Sequence, residues 1–318
     1  MARVCVTGGA GFIGSNLVRE LAILGHELIA FDDLSTGLKS NIDPSECRLI
    51  EGSVTDMALL EKSLSSVEYI VHLGARGSVP RSITNPKATH DVNSTGTLNV
   101  LEVARNIGAQ VIFSSSSSVY GRNGALPKDE SMWLGPMTPY AASKLSAESY
   151  VQAYGSSYGV PTTLLRFFNV FGPRQRPDHI YAAVLPKWIW KAMNGEVIEV
   201  YGDGSQTRDF TYVKTVTDIC IDAINRKVTH DGAINLAYGN QISLLEVIDL
   251  LKEEFSDLRV EFLPERKGDV KNSQNSPELL KELFPSVEPT EFKVALKSTI
   301  AWLADNGDSV ANGPSVSD

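Results

Sequence analysis

Cysteine is scarce in this chain. Cys5, Cys47 and Cys220 are the three among 318 residues, and they are widely scattered. So few, in odd number, argue against a disulfide framework; two sit in apolar, strand-like runs and read as buried reduced thiols of a cytosolic protein. Neither they nor the five histidines have metal-ligand spacing, so no metal is expected. Positive charge is also short. Against 38 Asp and Glu stand 29 Lys and Arg, for a net charge of -9. General nucleic-acid binding wants a basic face and is argued against, although a local cationic pocket for a phosphate is not. No apolar run is long enough to span a bilayer. The N-terminus enters an apolar strand at once, without the basic and apolar regions of a signal peptide. The expectation is a cytoplasmic globular protein with one large or two moderate domains.

What is present is an alternation of short apolar runs and amphipathic helical stretches. Val4-Cys5-Val6-Thr7 reads as a buried parallel strand. Gly8-Gly9-Ala10-Gly11-Phe12-Ile13-Gly14 follows, with a helix over residues 15–24. The segment contains G-x-G-x-x-G. Its glycines allow a tight turn, close approach to a pyrophosphate and close helix–strand packing, and the helix N-terminus offers N–H groups to the anion. A second strand over residues 28–31 ends in Asp32-Asp33. An acidic side chain there bonds the adenosine ribose and repels a 2′-phosphate, so Asp32 argues for NAD over NADP. Asp33 equally reads as a solvated turn.

Strands over 48–51, 69–73, 110–113 and 162–168 continue the pattern, with a long helix over 90–106. The predicted fold is α/β, a doubly wound parallel sheet with ligands at the carboxyl ends of its strands. The NAD-binding domain is placed at 1–168, with returning segments near 206–240. A smaller mixed substrate domain is placed at 169–205 and 241–304. Residues 305–318, poor in apolar side chains, are expected to be disordered. Arg174 and Arg176 read as a solvated loop.

The chain centres on residues 114–144. Five serines, Ser114 to Ser118, end an apolar strand, and Tyr140 and Lys144 follow at helical i, i+4 spacing. That spacing puts phenol and ammonium on one helix face. A cation beside a phenol lowers its pKa, and such a tyrosine can take a proton from a sugar or alcohol hydroxyl. A serine opposite can hold that hydroxyl and relay the proton. Tyr-x-x-x-Lys alone is a weak motif; the glycine fingerprint upstream gives it weight.

Together these motifs resemble the extended short-chain dehydrogenase/reductase family. The similarity is strongest to UDP-sugar 4-epimerases acting on UDP-glucose and UDP-N-acetylglucosamine. Thr7–Gly14, Asp32, His72-Leu73-Gly74-Ala75, Asn93, Tyr140–Lys144, Arg166-Phe167-Phe168-Asn169, Gly202-Asp203-Gly204, Arg208-Asp209-Phe210 and Gly268-Asp269 carry it. The resemblance implies an NAD-dependent isomerase with Ser116, Tyr140 and Lys144 as catalytic residues, inverting C4 through a 4-keto sugar. It implies NAD contacts from Gly8, Gly11, Phe12, Ile13, Gly14, Asp32, Asp33, Ser53, Val54, Leu73, Asn93, Tyr140, Lys144 and Phe168. Ser53 stands where relatives often carry an Asp. UDP-sugar contacts are implied for Ser78, Ser116, Asn169, Val184, Tyr201, Arg208, Arg266, Asp269 and Ser273. Ser273 stands where enzymes restricted to plain hexoses have Tyr, leaving room for an N-acetyl group. A homodimer is implied too, its helix seam supplied by Leu98, Leu101, Val151 and Tyr154. A UDP-uronic acid epimerase, and a non-catalytic NAD sensor on the same fold, stand as the alternatives.

Overall fold

The computed structural model describes residues 1–177, 183–265 and 271–311. Seven strands form one fully parallel sheet. In chain order they are β1 (Arg3–Thr7), β2 (Glu27–Asp32), β3 (Arg48–Glu51), β4 (Tyr69–His72), β5 (Gln110–Ser116), β6 (Thr162–Phe167) and a last strand, Ala233–Leu236. The spatial order is last strand, β6, β5, β4, β1, β2, β3. The strand order reverses at β1, which lies between β4 and β2. The ends of β1 and β4 therefore open the crevice where such sheets bind ligands.

Helices cover both faces, as the near-continuous apolar strands require. On one face α1 (Phe12–Ile23) buries Leu17, Val18 and Leu21 beside Val216, Ile219 and Ala223 of the helix Val213–Arg226. On the other, Leu60, Leu64, Val100, Leu101, Ala147 and Val151 close the second core. A third core joins Phe171, Trp188, Ile198, Val200, Phe210, Leu244, Val247 and Leu296. There the strand Val197–Tyr201 pairs parallel with Arg259–Leu263.

Several expected elements differ. The strand placed at 110–113 runs on into the serines as far as Ser116, and Ser117–Tyr120 turns as a 3-10 helix. Residues 90–106 are not one α-helix. A π turn, Asp91–Thr95, joins Pro86–His90 to Gly96–Ile107. Its wider turn directs the buried Asn93 toward the loop after β4, and single π turns recur at functional sites. Residues 305–311, expected to be disordered, complete the helix Phe292–Ala311. A Cβ at Gly307 would collide with the Trp190 ring, so the missing side chain is what lets this helix pack there. Residues 312–318 lie outside the described residues. All three cysteines are buried and free, with Cys5 in β1, Cys47 just before β3 and Cys220 in the helix Val213–Arg226.

Candidate active site

A cleft of about 550 Å³ lies at the carboxyl ends of the strands. Its floor is main chain. Gly8 has φ +68°, and a Cβ there would stand 2.9 Å from the Gly74 nitrogen, so β1 and β4 end in two touching backbones. A Cβ at Gly14 would collide with the Gly8 carbonyl oxygen. α1 begins at Gly11 with no side-chain cap, which leaves its first N–H groups to a ligand. Asp32, at the end of β2, is 7 % exposed and faces the same cleft. Its carboxylate accepts N–H bonds from Ala10 at 2.9 Å and Leu34 at 2.8 Å. Burial raises its pKa, and those N–H bonds oppose the rise. A glycine cradle, an uncapped helix start and a carboxylate one strand away fit the pyrophosphate and ribose of NAD.

The reactive groups come from β5 and the helix Pro139–Tyr158. Thr138 caps that helix by accepting the Ala141 N–H at 3.2 Å, and Pro139 is pre-set for its first turn. Tyr140 thus starts the helix, and Lys144 lies one turn on. Lys144 Nζ donates to the Ser114 carbonyl at 2.8 Å and lies 5.2 Å from the centre of the Phe113 ring. Lys144 is 4 % exposed, and burial pulls its pKa down to about 8. Tyr140 reverses the expected direction. Burial raises its pKa, the Ser116 hydroxyl bonded to it opposes the rise, and Lys144 makes no resolved contribution. Burial therefore keeps the phenol protonated at neutral pH in this arrangement.

Behind these groups is His72, whose contacts are invisible in the sequence motif that contains it. It is buried between two threonines: Nδ1 is 2.6 Å from Thr7 Oγ1 and Nε2 is 3.0 Å from Thr97 Oγ1. Thr97 Oγ1 donates to the Asn93 carbonyl at 2.6 Å, so it accepts from Nε2–H. Thr7 Oγ1 accepts the Gly74 N–H at 3.1 Å and donates to Nδ1. The imidazole is therefore neutral and of fixed tautomer. Burial, helped by the Lys144 cation, drives its pKa to about 3.

Of the residues expected at the site, Gly8, Gly11, Phe12, Ile13, Gly14, Asp32, Asp33, Val54, Leu73, Ser78, Ser116, Asn169, Tyr140 and Lys144 line the cleft. Others do not. Phe168 is 1 % exposed, packed with Val119, Tyr120 and Ala237. Asn93 braces the wall from behind: its side chain accepts the Arg76 N–H at 2.7 Å and donates to Ser143 Oγ at 2.9 Å. The Ser53 hydroxyl pairs with Thr55 at 2.8 Å. Val184 packs on the third core. Tyr201 lines a separate pocket of about 190 Å³ with Asp203, Gln206 and Lys271. Arg208 donates to the Thr207 carbonyl at 2.8 Å, and the Ser273 N–H reaches the same carbonyl at 3.2 Å. Arg266 and Asp269 lie outside the described residues.

Arg174 and Arg176 are not a solvated loop; both line the cleft with Arg76 and Arg81. Arg174 Nη1 donates to the Ser15 carbonyl of α1 at 3.3 Å and to the Asn41 carbonyl at 2.9 Å, which fixes the loop against α1. Two arginines in a proline-bounded loop after Asn169 were the available signal. Backbone strain, visible only in the fold, marks the same wall. Ser78 (φ 92°), Asn169 (φ 35°) and Arg174 (φ 68°) are non-glycine residues of positive φ, and all three face the cleft. Such strain costs roughly 1–3 kcal/mol each and clusters at functional sites.

Sheet topology, glycine cradle and acidic strand end define a dinucleotide-binding protein with a Ser–Tyr–Lys cluster at the cofactor cleft. The NAD dependent epimerase/dehydratase family model matches residues 4–237. The chain belongs to that family. Its fold matches a UDP-N-acetylglucosamine 4-epimerase of Methanobrevibacter ruminantium M1, solved with UDP-N-acetylmuramic acid. The TM-score is 0.90 at 38 % identity, over 96 % of this chain and 99 % of that one. It is 34 % identical over 280 residues to the UDP-glucose 4-epimerase of Mycolicibacterium smegmatis, covering 86 % of this chain and 89 % of the relative. It is 32 % identical over 322 residues to UDP-glucuronic acid decarboxylase 1 of Danio rerio, covering 98 % and 74 %. The cofactor of the family is NAD. Among the described residues no helix is long and apolar enough to cross a membrane.

Proposed function

We propose that the chain is a nucleotide-sugar epimerase that inverts C4 of a UDP-hexose through a 4-keto sugar. The substrates proposed are UDP-glucose and UDP-galactose, and their N-acetylhexosamine forms. The observation that carries this reading is the meeting of Ser116, Tyr140 and Lys144 in the cleft that also holds the glycine cradle and Asp32. Bound NAD supplies reversible hydride exchange at the sugar carbon. The chain supplies the proton work. Tyr140 takes the 4-hydroxyl proton and returns it, Ser116 holds the 4-oxygen, and Lys144 anchors the strand end beside them. Decarboxylation and 5,6-dehydration call for a carboxyl group near the reacting carbons. Among the described residues the carboxylates lining the cleft are Asp32 and Asp33, both at the ribose end of β2. That supports simple hydride return.

A second reading, a UDP-uronic acid as substrate, is favoured by Arg76. Its Nε is buried in the cleft wall without a hydrogen-bond partner, and a carboxylate would satisfy it. Incubating the purified protein with UDP-glucose, UDP-N-acetylglucosamine and UDP-glucuronic acid tests both. The C4 epimer of one of these is the expected product. A dehydrated sugar or a pentose overturns the epimerase reading, and a folded, NAD-loaded protein inert on all three points to a sensor.

Asp32 is proposed to choose NAD over NADP. Wild-type protein is expected to bind NAD at least tenfold more tightly, because a buried carboxylate repels the 2′-phosphate. Asp32→Asn keeps the shape and removes the charge, so the ratio of the two dissociation constants should fall toward one. An unchanged ratio would move the selectivity elsewhere.

A homodimer is proposed as well, with a different seam. Leu101, Val151 and Tyr154 are buried in their own core, which leaves only the half-buried Leu98 of these four to a partner. On the outer surface Tyr150 is 41 % and Tyr158 51 % exposed, with Ile83 at 64 %. Light scattering is expected to give twice the chain mass at micromolar concentration. Tyr150→Glu with Tyr158→Glu should return a monomer.

A further inference from the structure

We propose that the buried Glu148–Arg166 pair positions the proton-transfer site, holding the end of β5 in register with the helix that bears Tyr140 and Lys144. The proposal rests on the reading that Ser116, Tyr140 and Lys144 do the chemistry. Those groups come from two elements, and a small slide between strand and helix would part Ser116 from Tyr140. Lys144 ties the two in front, at the Ser114 carbonyl. Glu148 ties them behind. It lies one turn beyond Lys144 and two beyond Tyr140, on the same helix stripe. Its carboxylate accepts from Ser115 Oγ at 2.8 Å, the residue next to Ser116.

The carboxylate is fixed in turn. Arg166 Nε donates to it at 3.2 Å and Nη2 completes the ion pair, with both side chains buried. Arg166 Nη1 donates to the Tyr120 hydroxyl at 2.8 Å, and that oxygen lies 2.8 Å from Asn235 Oδ1. Ser115, Arg166 and Asn235 are register partners on three adjacent strands. One row of polar side chains therefore crosses the sheet at the level of the site, and Glu148 pins it to the helix. A buried ion pair is weak evidence of stability, since apolar replacements of similar volume are often no worse. What an apolar pair cannot reproduce is the directional bond to Ser115.

The test separates position from stability in the NAD-loaded protein. Glu148→Gln should lower both the urea midpoint and kcat, because it leaves Arg166 buried without its counter-charge. Glu148→Met with Arg166→Met should bring the midpoint back toward wild type, yet leave kcat down by about 10²-fold at a KM within about twofold, the scale expected for a misplacement near 1 Å. Ser115→Ala, which spares the ion pair, should also lower kcat at constant KM with little change in midpoint. Recovery of kcat together with the midpoint in the double variant would make the pair structural only, as would wild-type kcat in Ser115→Ala. Should the double variant not fold, Ser115→Ala decides alone. Tyr140→Phe, assayed alongside, keeps the two ideas apart. Full turnover in that variant overturns the catalytic reading itself, whereas its loss combined with an active Ser115→Ala overturns only the positioning role.

Discussion

Tyr140→Phe is expected to lower turnover by roughly 10²–10⁴-fold, the usual worth of a positioned acid–base group. The ring would remain to pack at the start of its helix, and only the hydroxyl bonded to Ser116 would go. Binding should hold. The cradle of Gly8, Gly11 and Gly14, the Asp32 carboxylate and the arginines of the wall are untouched by the change. The prediction is thus a fall in kcat with KM for the UDP-sugar and retention of NAD near wild type. Turnover near wild type would remove Tyr140 from the mechanism. The resting phenol is protonated, with burial raising its pKa and Lys144 bonded elsewhere. Proton removal from the sugar therefore has to be coupled to a shift of that proton, with Ser116 in bonding contact to take part.

Acid should unfold this protein through His72. Its unfolded pKa is near 6.5 and its folded pKa about 3. In that window the unfolded chain binds a proton that the native state refuses. The contribution is fully present above pH 6.5 and is lost as pH falls toward 3. At 1.36 kcal/mol per unit it amounts to roughly 4 kcal/mol at the acid end. Protonating Nδ1 would set a second donor against Thr7 Oγ1 and break the line from the Gly74 N–H to the Asn93 carbonyl. Asp32, Asp209 and Glu130, whose pKa values burial raises, work in the opposite sense, so the test is a difference. Urea midpoints of wild type and His72→Gln should converge as pH drops from 7 to 4, with the variant weaker at pH 7. Parallel midpoints across that range would clear His72 of the role.

The sheet and its cofactor end were legible because their signals are local. Apolar runs of four to seven residues, glycines at fixed spacing and an acid one strand later each act within a few residues of chain. Tyr140 and Lys144 were legible for the same reason, being one turn apart on one helix. What could not be read depends on partners distant in the chain. Thr7, His72 and Thr97 become neighbours only when β1, β4 and the following helix pack together. Phe168 carries a motif but turns into a core, and Leu101 and Val151 face their own sheet, because periodicity marks an apolar side without naming what covers it. Arg174 looked solvated in sequence, and its bonds to Ser15 and Asn41 cross more than a hundred residues. The direction of the Tyr140 shift was hidden too. Spacing brings a cation near, but burial by elements distant in the chain outweighs it and raises the phenol pKa.

The meeting of Gly8 and Gly74 divides the cleft into two kinds of evolutionary material. At the cofactor end the wall is peptide backbone, and any side chain at Gly8 would have to push two neighbouring strands apart. Substitution at Gly8 has nothing to adjust, so variants there divide sharply into those that keep the contact and those that lose it. At the far end the wall is made of side chains such as Arg76 and Arg176. A lineage built on this plan would diversify what it accepts while keeping what it is loaded with, since the floor under the cofactor is main chain.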